Sequence, residues 1–496
     1  MRKFTKKFGK YILLICSVLI LVFSLTACQN DYEFSAVKGG QPNEKTESNG
    51  GQVVKQGDKI YFVNGKTDEN AGNKYGSVLK GAIVRGTIGA DGNLSDFKTI
   101  VPKNVYSKGR EDGLNGGIYI FGNYIYYMTP NNEIDKNDNL LNDRLDVMRV
   151  KLDGTGTERL GTPFKSLDYQ YKFVKNHLVT YENNTITIMN LSDDLPVVKK
   201  IKDVTGIIMP KTEIYEKDKE YASDYIFYTR NLTEKESETN IGARNNVLCA
   251  VKCDGSKEVE IINTATTFKG DKNDFTISLK NYLVDGDSVV LYYTRKSDKA
   301  GSVDKLYSYT FNLTNLAAET VFDSNKEVEI FDNTVGTIIP YSADTVLEIK
   351  DKVIYSYNNK TRTALTFINE NNQGTFDGTF VKLEKAGDIT WMYYTASTGF
   401  YRLVIKNQDQ KLVINQEPQR IFDAGMGTNV FGNELIDGYF YFSNSTKLDY
   451  VYRMDVTKQN TSAKLEENDT RVNPQLVGVM TSTDAKKLSD AEKENK

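Results

Sequence analysis

A tyrosine-rich strand pattern recurs along this 496-residue chain and limits its fold more than any other feature. In the clearest copy, residues 123–128 (NYIYYM) are followed by residues 145–152 (LDVMRVKL) and then by Asp153 and Gly154. Alternating apolar residues favour β-strands, and an Asp-Gly pair supplies the positive φ of a tight hairpin turn. Each copy of the pattern is therefore predicted to be a small antiparallel sheet.

The pattern occurs eight times, about every 54 residues, near the repeat length of known propeller blades. The first strands of the eight units are residues 59–63, 123–128, 177–181, 224–229, 288–294, 352–356, 390–394 and 438–442. In the second unit, alternate residues are apolar on both faces of the strand, so the small sheet has two faces to bury.

Packing such sheets around an axis buries both faces and leaves only short, protected edges. The sequence therefore predicts an all-β fold, a β-propeller of seven or eight blades over residues 52–460. A two-sheet sandwich is the alternative, although it rarely needs so many strands at so long a period.

Residues 1–27 have the features of a signal peptide, with five basic residues in the first ten and then an apolar run. The run is shorter than the roughly 20 residues of a membrane-spanning helix, which makes a permanent span the weaker alternative. Its end, residues 25–28 (LTAC), resembles the lipobox of bacterial lipoproteins. The resemblance implies cleavage between Ala27 and Cys28 and a lipid on the Cys28 thiol, which would hold the chain at the extracytoplasmic face of the cell membrane.

The segments on either side of the predicted propeller are polar. Residues 28–51 are predicted to be a flexible tether that carries the lipidated cysteine. Residues 461–496 form a polar C-terminal tail, with a short helix predicted at 484–494. The chain has 63 basic and 66 acidic residues, five of the basic ones in the signal peptide, so the remainder carries about −8 and nucleic acid is not an expected partner.

Few residues are available for catalysis or metal binding. Cys249 and Cys253 are predicted to be free thiols, because four residues of a strand hold them too far apart for a disulfide. His177, the single histidine, enters a predicted strand from a turn and has no nucleophile elbow near it. No cofactor motif is present in the sequence.

One polar loop is a weak calcium candidate. Asp135, Asn137, Asn139 and Asp146 stand at positions 1, 3, 5 and 12 of an EF-hand-like loop. Position 6, where the sharp turn favours glycine, is Leu140. A solvated loop between two strands of one blade is the favoured interpretation, and no metal site is predicted.

The units at residues 124–128 and 147–156 resemble the repeats of bacterial surface propellers related to the YWTD-type propeller of lipoprotein receptors. This resemblance implies a recognition domain of six to eight blades, often without chemistry of its own. The expected function is a membrane-anchored binding or scaffolding module for an envelope protein, peptide or glycan, and not an enzyme. The alternative is an extracellular glycoside hydrolase or lyase that uses two carboxylates in the central channel.

Overall fold

The computed structural model describes residues 39–64, 82–101, 117–130, 144–164, 170–211, 214–216, 219, 221, 223–238, 245–267, 275–297, 304–314, 316, 322–331, 336–358, 361–365, 376–396, 399–409, 411–414, 418–423, 431–443, 451–455 and 475–477. The chain divides into two compact units. Unit 1 comprises Met1–Lys108, Gly116–Leu167 and Val477–Lys496, and unit 2 comprises Gly109–Asn115 and Asp168–Leu476.

Unit 1 contains two sheets whose strands follow one another in chain order. Sheet 1 has five strands: β1 (Thr46–Glu47), β2 (Val53–Gln56), β3 (Lys59–Val63), β4 (Ile83–Ile88) and β5 (Leu94–Val101). Sheet 2 has four: β6 (Tyr119–Phe121), β7 (Tyr124–Pro130), β8 (Leu145–Lys151) and β9 (Glu158–Phe164). Their apolar residues meet in one core that includes Tyr61, Ile125 and Tyr127, all fully buried.

Unit 2 contains six further sheets, of which four are simple four-stranded meanders or nearly so. Sheet 3 comprises β10 (Gln170–Val174), β11 (His177–Glu182), β12 (Thr185–Asn190) and β13 (Val197–Ile201). Sheet 4 comprises β14 (Val204–Ile208), β16 (Tyr225–Asn231), β17 (Asn246–Lys252) and β18 (Val259–Asn263). Sheet 5 comprises β19 (Phe275–Asp285), β20 (Ser288–Ser297), β21 (Lys305–Asn312) and β22 (Glu327–Phe331). Sheet 6 comprises β23 (Thr337–Pro340), β24 (Thr345–Lys350), β25 (Val353–Asn358) and β26 (Thr361–Ala364).

Sheets 7 and 8 complete unit 2. Sheet 7 has six strands: β15 (Ile214–Glu216), β27 (Thr379–Ala386), β28 (Ile389–Ala396), β29 (Gly399–Gln408), β30 (Lys411–Ile414) and β31 (Gln419–Asp423). Sheet 8 comprises β32 (Phe431–Ile436), β33 (Tyr439–Ser443), β34 (Val451–Asp455) and β35 (Gln475–Val477). The short helices are α1 (Glu234–Ser237), α2 (Thr264–Thr267) and the 3-10 turn Ser324–Lys326. None of the helices in the described ranges is long and apolar enough to cross a membrane.

The Asp-Gly pairs form the predicted turns. Gly154 and Gly255 adopt positive φ, 84° and 80°, a conformation that costs glycine little. In each turn the preceding aspartate accepts a hydrogen bond from the amide two residues on, at 2.9 Å from Asp153 to Thr155 and again from Asp254 to Ser256. Each turn connects the third and fourth strands of its sheet in the same way, which explains why the pattern repeats.

Each of the eight predicted units lies in a different sheet, and the fold is an all-β propeller type built mostly from four-stranded antiparallel sheets. The fold-class prediction is confirmed. Two short strands of these sheets lie outside the range 52–460 predicted for the propeller. β1 lies in the predicted tether and β35 in the predicted tail. Both are edge strands of only two or three residues, too short to show the apolar alternation that marks the central strands.

Candidate functional site

Sheet 7 receives a strand from a distant part of the chain. After β14 the backbone leaves sheet 4, and β15 adds to the edge of β27 before the chain returns to β16. The pairing is parallel, with Ile214 opposite Leu383, Tyr215 opposite Glu384 and Glu216 opposite Lys385. An extended segment of this kind is held by main-chain hydrogen bonds, as a peptide is when it adds a strand to an exposed sheet edge.

One face of the added strand enters the core of unit 2. Ile214 is only 4% exposed and belongs to the same apolar cluster as Leu383, Met392 and Leu283. Lys211, three residues before Ile214, is also fixed, because its amide donates to the Tyr282 hydroxyl at 2.8 Å. That hydroxyl in turn donates to the Lys211 carbonyl at 3.1 Å.

A cavity of about 20 Å³ lies beneath this segment. Lys211, Ile214 and Tyr221 line it from the crossover segment, and Asn281 and Pro340 line it from sheets 5 and 6. Its volume is close to that of a single water molecule. The crossover segment therefore fills nearly all the space between itself and these strands.

The opposite face of sheet 7 carries a polar row. Cross-strand partners share a face, so the register places Tyr215, Glu384 and Trp391 together and Tyr393 beside Arg402. The Tyr393 hydroxyl donates to Glu384 Oε2 at 2.7 Å. We call Glu384, Trp391, Tyr393 and Arg402 the Glu384 row.

The Arg402 guanidinium closes the row. Its side chain is 1% exposed, its Cζ lies 4.0 Å from the centroid of the Trp391 ring, and its Nε donates to Gln419 Oε1 at 2.8 Å. Stacking on an indole is a favourable environment for a guanidinium. Arg402 is thus held in place on two sides by neutral groups of the same sheet.

Burial changes the acid–base properties of the row. It raises the pKa of Glu384, against the opposing effects of the Tyr393 hydrogen bond and the Arg402 charge. Burial likewise raises the pKa of Tyr393 well above its usual value. Burial thus makes the Glu384 carboxyl a stronger base than a solvated one, which qualifies it as a candidate general base.

Similar Tyr–Glu pairs occur in other sheets. Tyr228 donates to Glu258 at 2.6 Å, and Tyr357 donates to the fully buried Glu348 at 2.8 Å. These pairs join strands of their own sheets and satisfy buried polar groups. The Glu384 row differs from them because a crossover strand lies in register beside its carboxylate.

The face of β27 that packs into the core carries a second charged group, Lys385, opposite Glu216 of the crossover. Its ammonium donates to the Tyr341 carbonyl and lies 5.1 Å from the Tyr341 ring and 5.7 Å from the Tyr221 ring. Burial lowers the pKa of Lys385, and the nearby Glu216 carboxylate opposes that shift. Glu216 also accepts from the Tyr221 hydroxyl and pairs with Lys219 at 2.8 Å.

The site residues predicted from sequence do not coincide with this row. Ala27 and Cys28 lie outside the described residues, as do Asp135, Asn137 and Asn139 of the calcium candidate. Asp146, its fourth member, pairs with Arg159 at 2.8 Å and accepts a hydrogen bond from Thr162 at 2.6 Å. In the ranges that the structure describes, no three His, Cys, Asp or Glu side chains group as metal ligands.

The cysteine and histidine predictions agree with the structure. Cys249 and Cys253 are free and buried, and burial raises the pKa of Cys249 to about 12. His177 is the first residue of β11, directly after the hairpin turn. Burial lowers its pKa, against the field of Asp254. Burial therefore disfavours the thiolate form of Cys249, which is the nucleophilic one.

Neither the protein-family models nor the characterised proteins contain a match to the chain. Solved structures do match, at low identity. A prolyl endopeptidase is 13% identical with a TM-score of 0.35, covering 69% of this chain and 47% of its own. A puromycin hydrolase is 11% identical with a TM-score of 0.37, covering 74% and 57%. The β-propeller domain of the Trilobed protease from Pyrococcus furiosus is 9% identical with a TM-score of 0.32, covering 67% and 90%.

This chain spans about half the length of the prolyl endopeptidase and of the puromycin hydrolase. The comparisons nevertheless correct one prediction. The sequence favoured a binding or scaffolding module that is not an enzyme, with a glycoside hydrolase or lyase as the alternative. Both inferences started from the fold, and the matching structures are a prolyl endopeptidase, a puromycin hydrolase and a protease domain. Propeller sheets of this kind are therefore no ground for expecting a protein without chemistry, or for expecting glycosidase chemistry.

Proposed function

We propose that this protein hydrolyses peptides at the extracytoplasmic face of a bacterial membrane, where a lipid on Cys28 anchors it. The observation that carries the proposal is that the extended segment β15 pairs in parallel with β27. Its residue Tyr215 lies directly opposite Glu384. A substrate peptide would occupy the same edge through main-chain hydrogen bonds. Glu384 is then the carboxylate of β27 that lies opposite it in the register.

In the proposed reaction Glu384 acts as the general base. Its carboxylate takes a proton from a water molecule, whose oxygen attacks the carbonyl carbon of the scissile peptide bond. The carbon–nitrogen bond then breaks, and the proton passes from Glu384 to the leaving amine, so that water is added across the bond. Tyr393 holds the carboxylate in place through its hydroxyl, and the Arg402 charge supports the ionised form.

The membrane part of the proposal rests on the sequence alone. The basic start, the apolar run and the LTAC tetrapeptide at residues 25–28 support export followed by lipidation. The repeats that resemble YWTD-type propellers support a bacterial surface lipoprotein of this architecture. An anchored protein would meet peptides outside the cytoplasm, including fragments of envelope proteins.

The test uses the purified lipidated full-length protein and a mixed library of internally quenched peptides. The wild-type protein is expected to cleave some of them, and Glu384→Gln to reduce kcat/KM by about 10²–10⁴-fold. Glu258→Gln is the matched control, because Glu258 accepts the same kind of tyrosine hydrogen bond in sheet 4. Absence of cleavage by the wild-type protein refutes the proposal, and so does full activity in Glu384→Gln.

A further inference from the structure

The crossover strand has the composition of a short ligand peptide. Side chains alternate along a strand, so Ile214 and Glu216 point to one side and Tyr215 to the other. Each of the three residues has a partner on β27 in the parallel register. The surface that each side chain contacts can therefore be identified separately.

Ile214 packs against an apolar surface. It is 4% exposed, and around it lie Leu383 of sheet 7, Leu283 of sheet 5 and Ile338 of sheet 6, all members of one cluster. These neighbours belong to the sheets and not to the crossover segment. A different chain placed on the same edge would meet the same apolar surface.

Glu216 has three polar neighbours, and only one of them belongs to a sheet. Tyr221 and Lys219 are residues of the crossover segment itself, whereas Lys385 is part of β27. If the segment leaves, its own two partners are free to leave with it, and Lys385 stays. Lys385 is held by Tyr341, through both its carbonyl and its ring, in a half-buried position. An ammonium in such surroundings favours a carboxylate partner.

We infer that Ile214–Glu216 occupies the position in which a substrate peptide binds, and that Lys385 is a specificity-determining residue for acidic peptides. Substrates are extended peptides that run parallel to β27. They carry an apolar side chain at the Ile214 position and a carboxylate two residues later. The crossover segment competes with them for the edge, so it is also a built-in inhibitor. This inference rests on the proposed function, since it names the substrate class of the same site.

The test measures binding of a fluorescein-labelled peptide with the sequence of residues 212–217 (TEIYEK) to the full-length protein by fluorescence anisotropy. Ile214→Ala loosens the internal competitor and is expected to tighten peptide binding severalfold, up to about 30-fold. Ile354→Ala is the matched control, because Ile354 is a buried isoleucine of the same core in β25. Equal affinity of the wild-type protein and Ile214→Ala for the peptide overturns the inference.

A second peptide tests the role of Lys385. Replacing the second glutamate of TEIYEK by glutamine is expected to weaken binding to Ile214→Ala about tenfold, and the added substitution Lys385→Gln to abolish that difference. A difference that persists without Lys385 contradicts its assignment. Because binding is measured without cleavage, a protein that binds but never hydrolyses refutes the proposed function alone. A protein that cleaves peptides but does not select the acidic one refutes this inference alone.

Discussion

Replacing Ile214 by alanine distinguishes a detachable crossover strand from an integral one. A buried Ile→Ala change costs about 2–5 kcal/mol when the surroundings cannot relax. Ile214 is buried to the same degree as many core residues of unit 2. The cost is expected to be smaller here, because β15 is three residues long and is attached at one edge.

The docking free energy of β15 follows from three contributions. Burial of the Ile214 side chain stabilises by about 1.5–3 kcal/mol. The interstrand hydrogen bonds of three register pairs contribute roughly 2–3 kcal/mol, at about 1 kcal/mol each. Ordering the backbone of three residues opposes them by about 3–6 kcal/mol. At their midpoints these contributions nearly cancel, at about 4.8 kcal/mol for docking and about 4.5 kcal/mol against it, so docking of β15 alone, apart from the flanking contacts of Lys211 and Tyr221, is favourable by less than about 2 kcal/mol. This limits what Ile214→Ala can cost the whole unit, because beyond that the strand detaches.

Leu383→Ala is the variant with which the loss of stability in Ile214→Ala is compared. Leu383 is fully buried in β27 directly opposite Ile214, but β27 cannot detach without loss of sheet 7, so about 2–5 kcal/mol is expected. Urea unfolding followed by the fluorescence of Trp391, the single tryptophan, reports on this sheet. Ile214→Ala should lower the free energy of unfolding by less than about 2 kcal/mol. Hydrogen exchange of the β27 amides should accelerate at least tenfold at the same time.

The reasoning is refuted if Ile214→Ala destabilises as strongly as Leu383→Ala. It is also refuted if β27 exchange stays at the wild-type rate, since then the edge has not opened. A control at Ile354, which lies in the same core without touching the edge, separates edge opening from a general loss of core stability.

Three further predictions concern single groups. Burial raises the pKa of Glu384 above its unfolded value, so the Glu384 side chain stabilises the fold at low pH and this stabilisation is lost as pH rises through the folded pKa. Calorimetry should therefore find Glu384→Gln more stable than wild type at pH 8 and equally stable at pH 4. Cys28→Ser should move the protein from the membrane fraction to the soluble one, and mass spectrometry of an unmodified wild-type protein would contradict the lipid anchor. Cys249 and Cys253 should resist a thiol reagent at pH 8 in the folded protein and react after unfolding, whereas rapid labelling of native protein would exclude the buried-thiol assignment.

The sequence identified the central strands because they are apolar on both faces. In β7, for example, Ile125 and Tyr127 are fully buried, and so is Met128 on the other face. Outer strands gave no such signal. In β13, Val197 and Val198 are 57% and 49% exposed, and two lysines follow, so neither a period of two nor a buried run marks the strand.

The candidate site was harder to predict for a different reason. Glu384 and Arg402 each stand in an otherwise strand-like sequence, and charged residues at such positions are usually solvated. Their partnership depends on cross-strand register, which the linear sequence does not contain. The pairing of Tyr215 with Glu384 joins two segments far apart in the chain, and no periodicity connects them. The available signal was at Arg402, a charged residue in a strand between Tyr401 and Leu403, whereas Glu384 is followed by Lys385 and gave none.

The crossover also determines the order in which unit 2 can be completed during synthesis. Sheet 4 emerges from the ribosome early, but β15, which lies within its span, finds its partner only after β27 has been made, about 170 residues later. At about 5–20 residues per second this delay lasts roughly 10–30 s. Contacts between such distant segments form late, because a long loop must first be closed. The edge of β27 thus stays open until late in synthesis, and for that time another extended segment can occupy it in place of the short strand β15.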